Sequence, residues 1–142
     1  MKHLTESIMS SVENQSIGIR DISDWLGIVD GQKVLVIGTR SEFLRIYPIA
    51  ESEVVLVRVA LTLEGFRTSA RTIIDKMRTI DLHLIHSTGF CPLQDYCVWE
   101  GYFAISLRDK IEEFSDWVRE QSPVIDIELK YLSSEQNPRN EG

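Results

Sequence analysis

Residues 54–61 (VVLVRVAL) are apolar at nearly every position, the pattern of a strand central to a sheet rather than one with a solvated face. From 67 to 80 the period changes. Ala70, Ile73, Ile74, Met77 and Ile80 trace one stripe, with Arg71, Asp75, Lys76 and Arg78 outside it, which predicts a helix. Residues 82–88 (LHLIHST) and 96–105 (YCVWEGYFAI) predict two strands, joined by the loop Gly89-Phe90-Cys91-Pro92-Leu93-Gln94-Asp95. A second helix is predicted over 107–120, with Leu107, Ile111, Phe114, Trp117 and Val118 inward and Pro123 at its exit. Residues 124–132 alternate strictly, Ile125, Ile127, Leu129 and Tyr131 against Asp126, Glu128 and Lys130, as a strand with one buried face should.

The expected class is therefore α+β, with a ferredoxin-like βαββαβ module over 54–133. Two helices of this length cover one face of a four-stranded sheet. Strands this apolar would leave a large patch on the other face. A second copy is the simplest cover, so at least a homodimer is expected.

Ahead of this module the pattern is weaker. Ile22, Trp25, Leu26 and Val29 recur at helical spacing, with Asp21 or Ser23 as candidate caps. Asp30-Gly31 signals a turn. Two β runs, 33–37 and 43–49, flank Gly38-Thr39-Arg40-Ser41-Glu42 as a hairpin, with Pro48 at an edge or exit. Residues 50–53 read as a short linker. Two domains result, 1–50 and 54–133. The polar tail 134–142 (SEQNPRNEG) is expected to be disordered.

Composition changes this picture little. The 142 residues are 43% apolar and 26% charged, enough to build a core. No apolar run is long enough for a spanning helix, and MKHLTESIMSSVENQ lacks the apolar stretch of a signal peptide. Two cysteines without a secretion signal suggest a reducing setting, with cytoplasm the default. Net charge is −7, which argues against indiscriminate binding to nucleic acid or anionic membrane. Residues 1–50 hold five basic and six acidic residues, so the acidity belongs to the second domain.

On its residues the second domain resembles the ACT family, the amino-acid-sensing βαββαβ module. The strand VVLVRVALT, the turn Leu63-Glu64-Gly65-Phe66, the strand LHLIHSTG, the hairpin into CVWEGYFAIS, and IDIELKYL carry the resemblance. The turn has Glu64-Gly65 but not the proline that members often place there. The first domain resembles the AbrB-like swapped-hairpin fold of prokaryotic regulators. Val12-Glu13 through Ile22 match, then Trp25-Leu26-Gly27-Ile28-Val29-Asp30-Gly31-Gln32-Lys33-Val34-Leu35-Val36 and Phe43-Leu44-Arg45-Ile46-Tyr47-Pro48. The family's Gly-Arg and Ile-Pro pairs ahead of the helix are not intact in Gln15-Ser16-Ile17-Gly18-Ile19-Arg20. Dimerisation and DNA contact are what that resemblance implies.

Chemistry concentrates in few places. The turn Leu63, Glu64, Gly65, Phe66, Arg67 and Thr68 is the candidate ligand site. N–H groups at a helix start lack helical partners and attract a carboxylate, Gly65 permits close approach, and Arg67 or Thr68 adds donors. The competing reading is a tight strand-to-helix turn. Arg20, Lys33, Arg40 and Arg45 are the candidate phosphate contacts, doubled to eight in a dimer; solvated charges balancing Asp21, Asp24 and Glu42 are the competing reading. His83, His86, Cys91 and Cys97 fit no standard zinc spacing. An odd separation puts the two histidines on opposite strand faces, and the cysteines read as ordinary buried thiols. Glu100 is an odd carboxylate in an apolar strand, explained most cheaply by solvent exposure. No nucleophile elbow, P-loop or dinucleotide fingerprint occurs, so no catalysis, metal or cofactor is expected.

The expected protein is a cytoplasmic prokaryotic regulator, its second domain sensing a small metabolite, an amino acid first among them, and its first binding DNA. The alternative is a free-standing regulatory subunit acting on a partner enzyme without DNA.

Overall fold

The structure, a computed structural model, describes residues 7–39, 42–93, 95–106 and 108–133, with Asp21 in backbone only. Arg40, Leu107 and the tail 134–142 lie outside these residues. The chain divides into two compact units, Met1–Ala50 and Glu51–Gly142.

The first unit holds α1 (Arg20–Leu26), β1 (Lys33–Gly38) and β2 (Leu44–Ile49). The helix starts two residues earlier than its apolar spacing predicts, and Ile19 precedes it with no side-chain cap. Ser23, expected as a cap, is inside the helix and donates its hydroxyl to Arg20 O at 2.8 Å. Gly27, at φ 70°, ends the helix, the left-handed conformation glycine tolerates best. Val29 therefore lies beyond the helix and is exposed. The hairpin pairs Lys33 with Ile49 through Gly38 with Leu44. Leu35, Ile37 and Ile49 share one face and are buried, whereas Val34, Val36 and Leu44 on the other are 40–57% exposed.

The second unit runs β3 (Glu53–Leu61), α2 (Leu63–Thr79), β4 (His83–Leu93), β5 (Tyr96–Ile105), α3 (Arg108–Arg119) and β6 (Val124–Leu132). Its sheet is antiparallel throughout, in the order β4-β5-β3-β6. Val55, Val57, Val59 and Leu61 of β3 meet Ile73 and Met77 of α2 and Ile111, Phe114 and Val118 of α3 in one core. Both helices thus cover the same face. The architecture is α+β and compatible with a ferredoxin-like fold. Ile74, placed on the inward stripe by its spacing, is exposed, because α2 needs only a narrow seam against the sheet. Among the described residues, no helix is long and apolar enough to cross a membrane.

Three departures from the sequence reading have one cause, pairing with a neighbouring strand. First, β4 does not stop at Thr88 but continues to Leu93, so most of the expected loop is strand. Second, a register shift between Leu84 and His86 inserts Ile85 as an extra residue. His83 opposes Ala104 and His86 opposes Tyr102, so the two histidines share a face instead of dividing across it. Third, a shift opposite Ala60 and Leu61 makes Ile125 the extra residue of β6, and it is 56% exposed. Val124 takes its inward place against the core.

The sheet face away from the two helices also differs from expectation. Val54, Leu56 and Ala60 of β3 and Ala104 of β5 lie on it and are buried. At its centre, however, stands Arg58, opposed in register by Glu100 on β5 and Glu128 on β6. Its Nε donates to Glu100 Oε1 and its Nη1 to Glu128 Oε2, both at 2.8 Å. Glu100 is therefore not a carboxylate explained by solvent alone. A charged triad interrupts what the strand composition suggested was a continuous apolar patch.

Candidate ligand site at the β3–α2 turn

The six candidate residues form no separate turn: all belong to α2, which begins at Leu63. Thr62 is the N-cap, its backbone extended and its Oγ1 accepting from Gly65 N–H at 2.9 Å, the usual device for satisfying an orphan donor. Phe66 N–H donates to Thr62 O at 2.8 Å, and Thr62 N–H to Pro123 O at 3.3 Å. Leu63 and Glu64 N–H remain without an acceptor among the described residues. Glu64 places a negative charge in the first turn, which suits the helix dipole but opposes an incoming anion.

Gly65 is buried, and a Cβ there would collide with Cβ of Pro123 and meet Thr62 Oγ1 at 2.9 Å. Its lack of a side chain serves the crossing of α2 over the β6 approach, so the position is occupied by protein. Phe66 packs against the core, its ring over Gly89 of β4, where a Cβ would meet Cζ at 2.8 Å. Thr68 spends its hydroxyl proton on Glu64 O at 2.9 Å. Arg67 is exposed and makes no ion pair or hydrogen bond among the described residues. What the turn offers a ligand is thus two backbone N–H groups and one guanidinium.

The same end of the sheet carries a disulfide that the sequence reading did not foresee. Cys91 on β4 and Cys97 on β5 are bonded, with Cα atoms 4.0 Å apart. Neither is a free thiol. The β4–β5 hairpin sets the two strand positions opposite one another, six residues apart. No group of His, Cys, Asp or Glu able to hold a metal ion occurs among the described residues. His86 stacks obliquely on Tyr102 at 6.3 Å, and His83 Nδ1 lies 3.7 Å from Glu51 Oε1.

On the sheet face away from the helices, Arg58 pairs with both Glu100 and Glu128. Arg58 is held above its ordinary value, chiefly by the Glu100 hydrogen bond, against a desolvation cost, with Glu128 adding to it. Burial raises the Tyr102 phenol, and Glu100 raises it further. At the opposite end of β3 from the turn, Arg108 of α3 grips Glu53 through two hydrogen bonds at 2.6 and 3.2 Å. That contact lowers the Glu53 carboxyl, and Arg108 also lies 4.3 Å above the Tyr131 ring.

In the first unit, Lys33 and Arg45 lie on one face of the hairpin but at its two ends, opposite Ile49 and Ile37. Arg45 lies 5.7 Å from the centre of the Phe43 ring. Arg20 is the first residue of α1. Arg40 lies outside the described residues.

No family model matches the chain, and no curated protein does. Among solved structures, the C-terminal domain of the MgtC protein from Mycobacterium tuberculosis is similar, with a TM-score of 0.50 and 12% identity. The match covers 61% of this chain and 95% of that one. At that identity the likeness is one of fold.

Sequence reasoning missed Arg58 and Glu128 as partners of Glu100. The signal was an arginine interrupting an apolar strand, but naming its partners requires the strand order. The Thr62 cap was legible in principle, as a threonine directly before the helix. Pro123 was seen only as a helix exit; its contact with Gly65 had no signal in spacing.

Proposed function

We propose that the chain is a prokaryotic regulatory protein, acting in the cytoplasm, whose second unit is an ACT-like ferredoxin-type module that binds a small carboxylate-bearing metabolite, an amino acid first among them. The observation that carries this reading is the start of α2. Leu63 and Glu64 N–H without acceptors and the unengaged Arg67 guanidinium together make a modest anion site. The first unit is read as an AbrB-like hairpin that dimerises. Val34, Val36 and Leu44 expose an apolar face on a two-stranded sheet, and such a hairpin is too small to be stable alone. In the dimer Arg20, Lys33, Arg40 and Arg45 double, and DNA is the partner they suit. Ligand and DNA are then linked through whichever arrangement of the dimer each prefers, by differential affinity alone.

One observation favours a second reading, a regulatory subunit that acts on another protein without DNA. Lys33 and Arg45 sit at opposite ends of the hairpin on a chain of net charge −7, so they do not converge on one phosphate.

Thermal unfolding of the full chain against each of the twenty amino acids tests the ligand. A binder at a hundred times its Kd adds about 2.7 kcal/mol, and Arg67→Ala should abolish that gain. Twenty flat results would remove the amino-acid reading. Anisotropy titrations with duplex DNA at low and near-physiological salt separate the two partner readings. Absence of binding even at low salt favours the protein partner.

A further inference from the structure

We infer that the Cys91–Cys97 bond is a reversible thiol–disulfide exchange site, attacked at Cys91 Sγ by a small monothiol of the glutathione class. Access is one-sided: Cys91 is exposed, while Cys97 is fully buried within β5. The choice of sulfur in exchange follows such access. These are the chain's only two cysteines, so no third thiol competes for the bond.

Strand pairing continues on both sides of the bond, although the register shifts between them. Phe90 pairs with Val98 on one side and Leu93 with Tyr96 on the other, and β5 is held along its other edge by β3. The fold therefore persists when the bond opens, which an exchange site requires and a purely structural staple does not.

The chemistry closes on itself. A thiolate attacks Cys91 Sγ, the S–S bond breaks, and the electron pair leaves on Cys97 Sγ, which takes a proton. A second thiolate attacks the thiol-derived sulfur of the mixed disulfide and releases Cys91. Two thiols are oxidised to one small disulfide, and the protein disulfide is reduced by two electrons. The small disulfide drives the reverse course.

Opening the bond reaches the start of α2. Cys97 pairs with Leu61, next to the Thr62 cap, and Gly89, two residues before Cys91, lies beneath Phe66. The redox state thereby sets how firmly the Thr62–Phe66 turn is held. Its relevance to a ligand rests on the function proposed above; the exchange itself does not.

The full chain, equilibrated in graded glutathione buffers, acid-quenched and alkylated, is read by mass and by circular dichroism. The bond should open within the buffer range with the spectrum unchanged, and peptide mapping of the quenched wild type should find glutathione on Cys91. In Cys97→Ser, Cys91 should glutathionylate; in Cys91→Ser, Cys97 should resist until denaturant is added. A bond closed at every buffer ratio, opening only with unfolding, or two free thiols in air-oxidised protein each overturn the proposal. Amide exchange at residues 63–67 should quicken on reduction. Unchanged exchange there overturns the coupling to the turn while leaving the exchange chemistry standing, and neither result depends on any ligand being found.

Discussion

Gly65 in the first turn of α2 lies directly against Pro123, the residue before β6, with no room for even one carbon between them. The atom met is the proline Cβ, which the ring holds in place, and Thr62 N–H bonds the Pro123 carbonyl at the same crossing. Gly65→Ala must therefore move the helix, the β6 approach or both, at about 1–3 kcal/mol. Urea unfolding of the variant checks this. An unchanged midpoint would mean that the crossing yields freely.

Arg58 is more tightly engaged with Glu100 than with Glu128, although both distances are 2.8 Å. Glu100 is 28% exposed and Glu128 60%, so solvent screens the second pair more. Double-mutant cycles should give a larger coupling for Arg58 with Glu100, both lying within the roughly 0.2–1 kcal/mol of partly exposed pairs. Equal couplings would contradict the screening argument.

Glu53 ties acid stability to one contact. Its carboxyl is lowered by the Arg108 hydrogen bond, so the folded state holds the proton less tightly than the unfolded chain does. The resulting stability is present above the ordinary value of 4.5 and is lost as pH falls through the lower folded value. Glu53→Gln should thus be less stable than wild type at neutral pH and converge with it in acid. A gap that stays constant down to pH ~3 would assign the effect to packing instead.

The exposed hairpin face predicts an interface that charge disrupts. A lysine at Val36 or a glutamate at Leu44 should shift the full chain toward monomer in sedimentation, without loss of the β3–β6 sheet, which belongs to the other unit. If both variants sediment as wild type, dimerisation through this face is excluded.

Ser115 is 2% exposed, and its Oγ has no hydrogen-bond partner among the described residues. An unsatisfied buried hydroxyl costs roughly 1–3 kcal/mol. Ser115→Ala should raise the melting temperature, and a fall would reveal a bond that the hydroxyl makes in solution.

The sequence by itself determined the succession of elements in both units and most of the inward residues. Ile73, Met77, Ile111, Phe114 and Val118 reach the core because helical spacing is a local property of the chain. The turn glycines Gly27 and Gly31, at φ 70° and 82°, were readable for the same reason. What only the tertiary structure decided is everything set by a neighbouring strand. The face of His86, the exposure of Ile125, the closure of Cys91 on Cys97 and the clasp of Arg58 by Glu100 and Glu128 all depend on register. Register is fixed between residues as far apart in the chain as Val54 and Leu132, and one extra residue in a strand reverses the side of every residue after it.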